Sequence, residues 1–376
     1  MKMEDRISSV ISAFDSQGWH RTGTAVDAAS ASWFAAEVGR TGALASIETY
    51  RFTRLVPRES FIEVDGRRIE AVPLFDSTAT PPEGVTAPLG AGPSRIALVA
   101  AAPGGHSPEL DDLRNSGAPG VVIVTTAQRP GIAPRNANDF RRPFGTPALQ
   151  VAGESLADLE AARASGSAVR LVSTFDHEDT VASNVVGVVA GRDPAAPPLC
   201  VMTPRSGWWD CASERGGGIA CLLELARALA QAAPRRTVIF VGTTGHELGH
   251  WGLEEFLFRR PGLDTGAVLW IHFGASVGAA MEPRTSVFAS RPALKDEALR
   301  DLEAAGAALP TRSPDGAIAG GESRNIHAAG GQYVSLAGGS AVFHLQQDRW
   351  PAAVDVQQVA AVARAMTNFA LRVANS

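Results

Sequence analysis

Cysteine is scarce in this sequence, with three residues in 376. Cys200, Cys211 and Cys221 cannot build a disulfide framework, and their spacing matches no common zinc motif. Cys200 and Cys221 read as packing residues of a strand and a helix, whereas Cys211 falls in a loop between Asp210 and Ser213. A basic excess is also missing: 34 Lys and Arg stand against 39 Asp and Glu, a formal net charge of −5. Nucleic acid is therefore not an expected partner, because affinity for phosphates needs a clustered Lys/Arg surface. No apolar run reaches the ~18 residues that signal a bilayer span. The opening MKMEDRISSVISAFDSQGW carries acids and lacks the apolar core of a secretory signal. No membrane partner and a cytoplasmic location are the expectations. What is present is a globular composition, 45% hydrophobic and 19% charged, in a chain long enough to favour two domains. The oligomeric state is not legible.

Residues 5–50 read as two helices, the second around Asp27 to Gly39 with Trp33, Phe34 and Ala35 on its apolar face. Strands are expected at Ile47 to Phe52, Phe61 to Val64 and Ile69 to Leu74. A β/α module follows with IALVAAAPGG, VVIVTT and TPALQVAG, a loop holding Arg129, Arg135, Arg141 and Arg142, and a closing strand from Ala168 to Phe175. The four arginines read as a solvated rim. A second α/β body starts at Ala182 with SNVVGVVAG and PLCVMT. The helix IACLLELARALAQAA comes next, with Leu222, Leu225, Ala226 and Leu229 at helical spacing. Strands at Thr237 to Val241 and in AVLWIHFGA, a strand and helix near Val287 to Ala305, the apolar AVFH and a helix from Val354 to Ala374 complete the chain. Strands alternating with helices imply a mostly parallel central sheet flanked by helices.

The segment TVIFVGTTGHELGHWG contains a literal H-E-x-x-H at His246, Glu247 and His250. A zincin needs that motif inside a helix, where histidines at i and i+4 share one face. Here a β-branched and aromatic run precedes it, and Gly242, Gly245, Gly249 and Gly252 interrupt it. The motif is therefore expected at the end of a strand, where open α/β sheets place their chemistry. His246 suits a proton shuttle, since its unperturbed pKa is ~6.5. His250 reads as a solvated loop residue. His20, His106, His177 and His327 have no chemical neighbours that single them out, so surface or supporting positions are their default.

Taken together, SNVVGVVAG, the Gly-rich loop into LLELARALAQAAPRRTVIFVGTTGHELGHWG, and FHLQQDRWPAAVDVQQVAAVARAMTNFAL resemble the di-zinc aminopeptidase and glutamate carboxypeptidase family, whose relatives include glutaminyl cyclase. The resemblance implies a zinc-exopeptidase-like catalytic domain from residues 1–52 and 179–376. IALVAAAPGG, SGAPGVVIVTT and TPALQVAGESLADLEAA resemble the protease-associated domain, implying a smaller inserted β/α domain over 53–178.

The family's chemistry is altered. Its first zinc-binding histidine, in a His-x-Asp after a strand, would fall where this chain reads Thr203, Pro204, Arg205 and Ser206. The bridging aspartate corresponds to Glu214, the paired glutamates to His246 and Glu247, a later aspartate to His272, and the last histidine to His344. The resemblance thus implies Glu214, Glu247, His272 and His344 as ligands of at most one zinc or manganese ion, or of none. His246, Glu247, Cys211 and Arg205 are the catalytic candidates. Trp208, Trp209, Arg215, Glu322 and Arg324 are expected to bind substrate, with arginines clamping a carboxylate. Gly216, Gly217 and Gly218, before a helix, either hold an oxyanion or form a turn that needs glycine.

The function expected is hydrolysis of an amide or peptide-like bond in a small substrate. Two alternatives stay open. One is a metal-independent hydrolase or lyase with His246 as base and Cys211 or a serine as nucleophile; the other is a non-catalytic relative that binds peptides or a small ligand.

Overall fold

A computed structural model of the chain describes residues 1–376 apart from Gly105, His106, Asp139, Ala308 and Pro310. The expectation for His106 lies outside the described residues. In chain order the strands are β1 (Leu44–Val64), β2 (Arg67–Glu70), β3 (Val72–Pro73), β4 (Val85–Pro88), β5 (Ala97–Ala101), β6 (Val121–Thr125) and β7 (Ala148–Ala152). They continue as β8 (Ala168–Val189), β9 (Leu199–Pro204), β10 (Val238–Thr243), β11 (Leu269–Phe273), β12 (Ser286–Ala289) and β13 (Tyr333–Ala337).

The nine-stranded main sheet runs β12-β13-β11-β9-β10-β8-β1-β2, with β4 also paired to β8. Only its middle, β13-β11-β9-β10, is parallel; the pairs β12–β13, β10–β8, β8–β1 and β1–β2 are antiparallel. The sheet is mixed, which corrects the mostly parallel expectation. Crossover helices were legible in the sequence and parallel strands follow them, but direct antiparallel returns leave no helix to read.

Side chains alternate across the sheet, so each strand supplies two cores. Val185, Val201, Phe240, Ile271 and Val334 face one side, packed by the helices Met3–Asp15, Gly217–Ala232 and Val356–Asn375. Val186, Cys200, Met202, Val241 and Trp270 face the other, where Trp251–Phe258 and Ser323–Ala329 lie. Cys200 and Cys221 are buried packing residues as expected.

β1 and β8 are 21 and 22 residues long and pair from Leu44 with Val188 to Val64 with Val169, interrupted by one irregularity at Pro57. The expected strands Ile47 to Phe52 and Phe61 to Val64 are thus one element. At its far end the ribbon meets a four-stranded sheet, β3-β7-β6-β5. A separate core of Ile62, Leu89, Val122, Leu149, Val151 and Leu171 forms there. Strand β13 went unread in the sequence because glycines flank five residues, and AVFH, expected as a further apolar element, is a turn.

Candidate active site

The parallel strands end at one rim. β10 delivers Thr243 and, three residues on, the turn His246–Leu248; β11 carries His272, and its register partner on β13 is Ser335. Gly245 (φ 77°) and His250 (φ 66°) are left-handed, and the helix begins only at Trp251. The H-E-x-x-H is therefore a strand-end turn, as expected, and not a helical zincin motif. Its two histidines meet nonetheless, with ring centroids 5.1 Å apart. His250 is buried, with Asn325 Oδ1 2.9 Å from its Nδ1, which overturns the solvated reading.

Glu322 is the hub of this cluster. Its Oε1 lies 3.0 Å from His246 Nδ1 and accepts from Thr243 Oγ1 at 3.1 Å, while Oε2 lies 3.4 Å from His272 Nε2. Burial acts to raise the Glu322 carboxyl, but His246, His272 and His250 outweigh it and hold it well below the usual range. His246 is lowered to about 4 by burial and by Arg215, against the pull of Glu322. Its Nδ1 faces Glu322, so His246 is placed to hold a metal as well as for the proton shuttling expected of it.

A second cluster joins Glu214 and His344. His344 Nε2 is 3.3 Å and Arg215 Nη2 2.7 Å from Glu214 Oε1, yet neither contact is aligned as a hydrogen bond. Burial would raise the Glu214 carboxyl, but Arg215 and then His344 hold it below the usual range. Behind it, Asp348 accepts the backbone N–H groups of Ser213 (2.7 Å) and Glu214 (2.9 Å). Burial pushes Asp348 up to about 7.

Both clusters border one cavity of about 540 Å³, lined among others by His246, His250, His272, His344 and Arg324. The module contributes Arg135, Asn136 and Asn138 to the same wall. Arg135 is buried and bonded to the Ala102 carbonyl, so it is not part of a solvated rim.

Several expected site residues lie elsewhere. Glu247 faces away: Oε1 accepts from Thr22 N and Oε2 from Ser206 Oγ, both at 2.7 Å. It is not among the ligand-type cluster, and burial raises its pKa. Arg205 is fully buried, held by Asp27 Oδ1 (2.9 Å), Asp27 O and Ser183 O, which leaves it no reach to a substrate carboxylate or oxyanion. Cys211 is buried and burial holds its thiol far above the usual range, so it is no ready nucleophile. Trp208 is buried against Phe75 (4.2 Å, stacked) and donates to Asn136 Oδ1; Trp209 donates to His344 O. Both tryptophans support the loops and do not line the cavity. Arg215 acts on Glu214 and the Ser206 carbonyl instead of a ligand. Gly217 is required by packing, since a Cβ there would overlap the Val277 carbonyl. His20, for which a surface or a supporting position was expected, takes the second: it is buried and stacked on Phe14 at 3.7 Å.

A model of peptidase family M28 matches residues 171–370, more than half of the chain. The chain belongs to peptidase family M28. No curated protein matches this M28 chain by sequence. Among solved structures it is similar to BSAP, a zinc aminopeptidase from Bacillus subtilis, with a TM-score of 0.78 and 17% identity over 99% of this chain and 95% of that one. The aminopeptidase from Aneurinibacillus sp. strain AM-1 gives 0.74 and 14%, covering 99% and 94%. A glutaminyl cyclase from Porphyromonas gingivalis gives 0.51 and 12%, covering 97% and 96%. Family and fold place the chain among the aminopeptidase-like hydrolases.

A metal ion implied by that family has a suitable home. His246, His250 and Glu322 offer ligand atoms within 4.8 Å of one another, and two imidazoles with a carboxylate suit zinc or manganese. His250 Nδ1 faces an amide oxygen and His344 Nδ1 the Pro134 carbonyl, so in both the proton sits on Nδ1 and Nε2 presents a lone pair, the arrangement that outer partners impose on metal-binding histidines. His246 Nδ1 instead faces the ionised Glu322 carboxylate, with which it would share an ion. His272 Nε2 and both Glu214 oxygens are buried without hydrogen bonds among the described residues.

Proposed function

We propose that this chain hydrolyses an amide or peptide-like bond in a small substrate, using one zinc or manganese ion held by His246, His250 and Glu322 with His272 beside them. The observation that carries the reading is the meeting of four histidines at a single cavity, with the buried carboxylates Glu322 and Glu214 against two of them, in a member of a peptidase family. The ion, when bound, supplies Lewis-acid polarisation of the scissile carbonyl. Glu322 faces His246 Nδ1 at 3.0 Å and would hold the ion together with it. His344 Nε2 takes the proton of the attacking water, since Pro134 occupies its other nitrogen and the Glu214 carboxylate at 3.3 Å stabilises the imidazolium formed. Arg215 keeps Glu214 ionised for that purpose. Arg324, Asn136 and Asn138 face the substrate's polar groups at the cavity wall.

The module over 53–178 is proposed as a protease-associated-like domain that closes one side of the cleft. Support comes from its own core and from loop contacts such as Ala137 N to Glu247 O at 2.9 Å.

The test combines metal analysis with hydrolysis of aminoacyl p-nitroanilides. About one equivalent of zinc or manganese is expected, and His344→Ala should keep the metal while lowering kcat roughly 10²- to 10⁴-fold. A chain that holds no metal after loading and cleaves nothing in a broad substrate panel would leave the ligand-binding alternative instead.

A further inference from the structure

A second cavity, of about 320 Å³, lies on the opposite side of the His246–Leu248 turn. Glu247 and Leu248 line it, whereas His246, Gly249 and His250 line the first. The partition between the two is the turn itself, pinned to the module by Ala137 N to Glu247 O (2.9 Å) and Phe140 N to Leu248 O (3.5 Å).

The walls of this cavity are apolar, built from Phe52, Leu55, Phe75 and Phe140. Two guanidinium groups border it. Arg21 is set among three indoles, 4.9 Å from the Trp19 and Trp209 rings and 5.6 Å from Trp208, and its Nε donates to the Trp208 carbonyl at 3.0 Å. Its two Nη groups have no hydrogen-bond acceptor among the described residues. Arg54 pairs through Nη2 with Glu178 at 2.9 Å, and its Nε is buried without an acceptor. The one carboxylate on the wall, Glu247, has both oxygens committed to Thr22 and Ser206. A guanidinium held among indoles above aromatic walls, as Arg21 is, matches an anion that is planar at one end and apolar at the other.

We propose that this cavity is a second ligand site, which takes a small monocarboxylate with an apolar body, the carboxylate on Arg21 and the body against Phe52, Leu55, Phe75 and Phe140. It stands apart from the hydrolytic reading and does not depend on a metal. Because its occupant rests on the same turn that carries His246, it is placed to modulate the first cavity.

Calorimetric titration of the full chain with 3-phenylpropionate, and with 3-phenylpropanamide as its uncharged counterpart, tests the site. The acid is expected to bind at least tenfold more tightly than the amide. Arg21→Gln should weaken the acid at least tenfold, and Val56→Trp, which adds bulk to the cavity from β1, should abolish binding. His246→Ala should leave it unchanged. No heat at millimolar ligand, an amide that binds as well as the acid, or binding that survives Val56→Trp and vanishes in His246→Ala would overturn the proposal. Should Arg21→Gln not fold, the acid–amide pair and Val56→Trp decide alone.

Discussion

Glu322 and Glu247 invite a direct comparison, because each is a buried carboxylate beside the His246 turn but they serve opposite sides of it. Glu322→Gln removes the charge that His246 and His272 both face, so bound zinc should fall by at least tenfold in affinity, read by metal competition. Glu247→Gln should leave metal content intact and instead cost about 1–3 kcal/mol of stability by urea unfolding, since an amide cannot accept equally from Thr22 N and Ser206 Oγ. Full metal in the first variant, or metal lost from the second, reverses the assignment. The sequence pointed to His246 because a strand end is visible locally, and to His272, His344 and Glu214 only through the family resemblance. Glu322 was visible only as one polar residue in GGESRNIHAAGG, and nothing in its neighbours marks it as the partner of a histidine 76 positions earlier. His250 was misread for a related reason: its glycine-rich setting suggests a wet loop, while distant Asn325 and the His246 ring meet it in the fold.

Elements show the same division between local and distant causes. Paired helices, apolar strands and the strand-end position of the motif were legible, since periodicity is a property of consecutive residues. The direction of the outer strands and the strand β13 were not. Arg205 followed by Ser206 looked like an open catalytic loop, yet the helix Ala25–Arg40 brings Asp27 against it and closes the pair off from water. Asp27→Ala should therefore be strongly destabilising, by about 3–5 kcal/mol, because it strands a buried guanidinium; thermal unfolding near wild type would contradict this. Gly217→Ala should cost about 1–3 kcal/mol through overlap with the Val277 carbonyl, with the metal still bound at saturation.

At the scale of the whole molecule, buried ionisable groups tie stability to pH, each with its own sign. His20 is lowered from 6.5 to about 3 by burial and by Arg205, so below pH 6.5 the unfolded chain takes up a proton that the folded one refuses. That contribution is complete above pH 6.5 and is lost at ~1.4 kcal/mol per unit as pH falls toward 3. His246, lowered to about 4, acts in the same direction. Asp348, pushed up to about 7, and Glu247, raised by burial, act in the opposite direction, so the His20 share is read as a difference: between pH 7 and 4 the urea midpoint of His20→Phe should shift toward greater stability at low pH relative to the unsubstituted chain, and identical profiles would remove His20 from the account. No helix among the described residues is long and apolar enough to cross a membrane. The ribbon of β1 and β8 has a further consequence for how the two sheets tolerate change. Neighbouring residues along a strand point to opposite faces, so one extra residue near Arg54 turns the outer half of the blade over, whereas two restore its parity. Lineages that lengthen or shorten this arm are thereby confined to even steps, or to a compensating bulge like the one at Pro57.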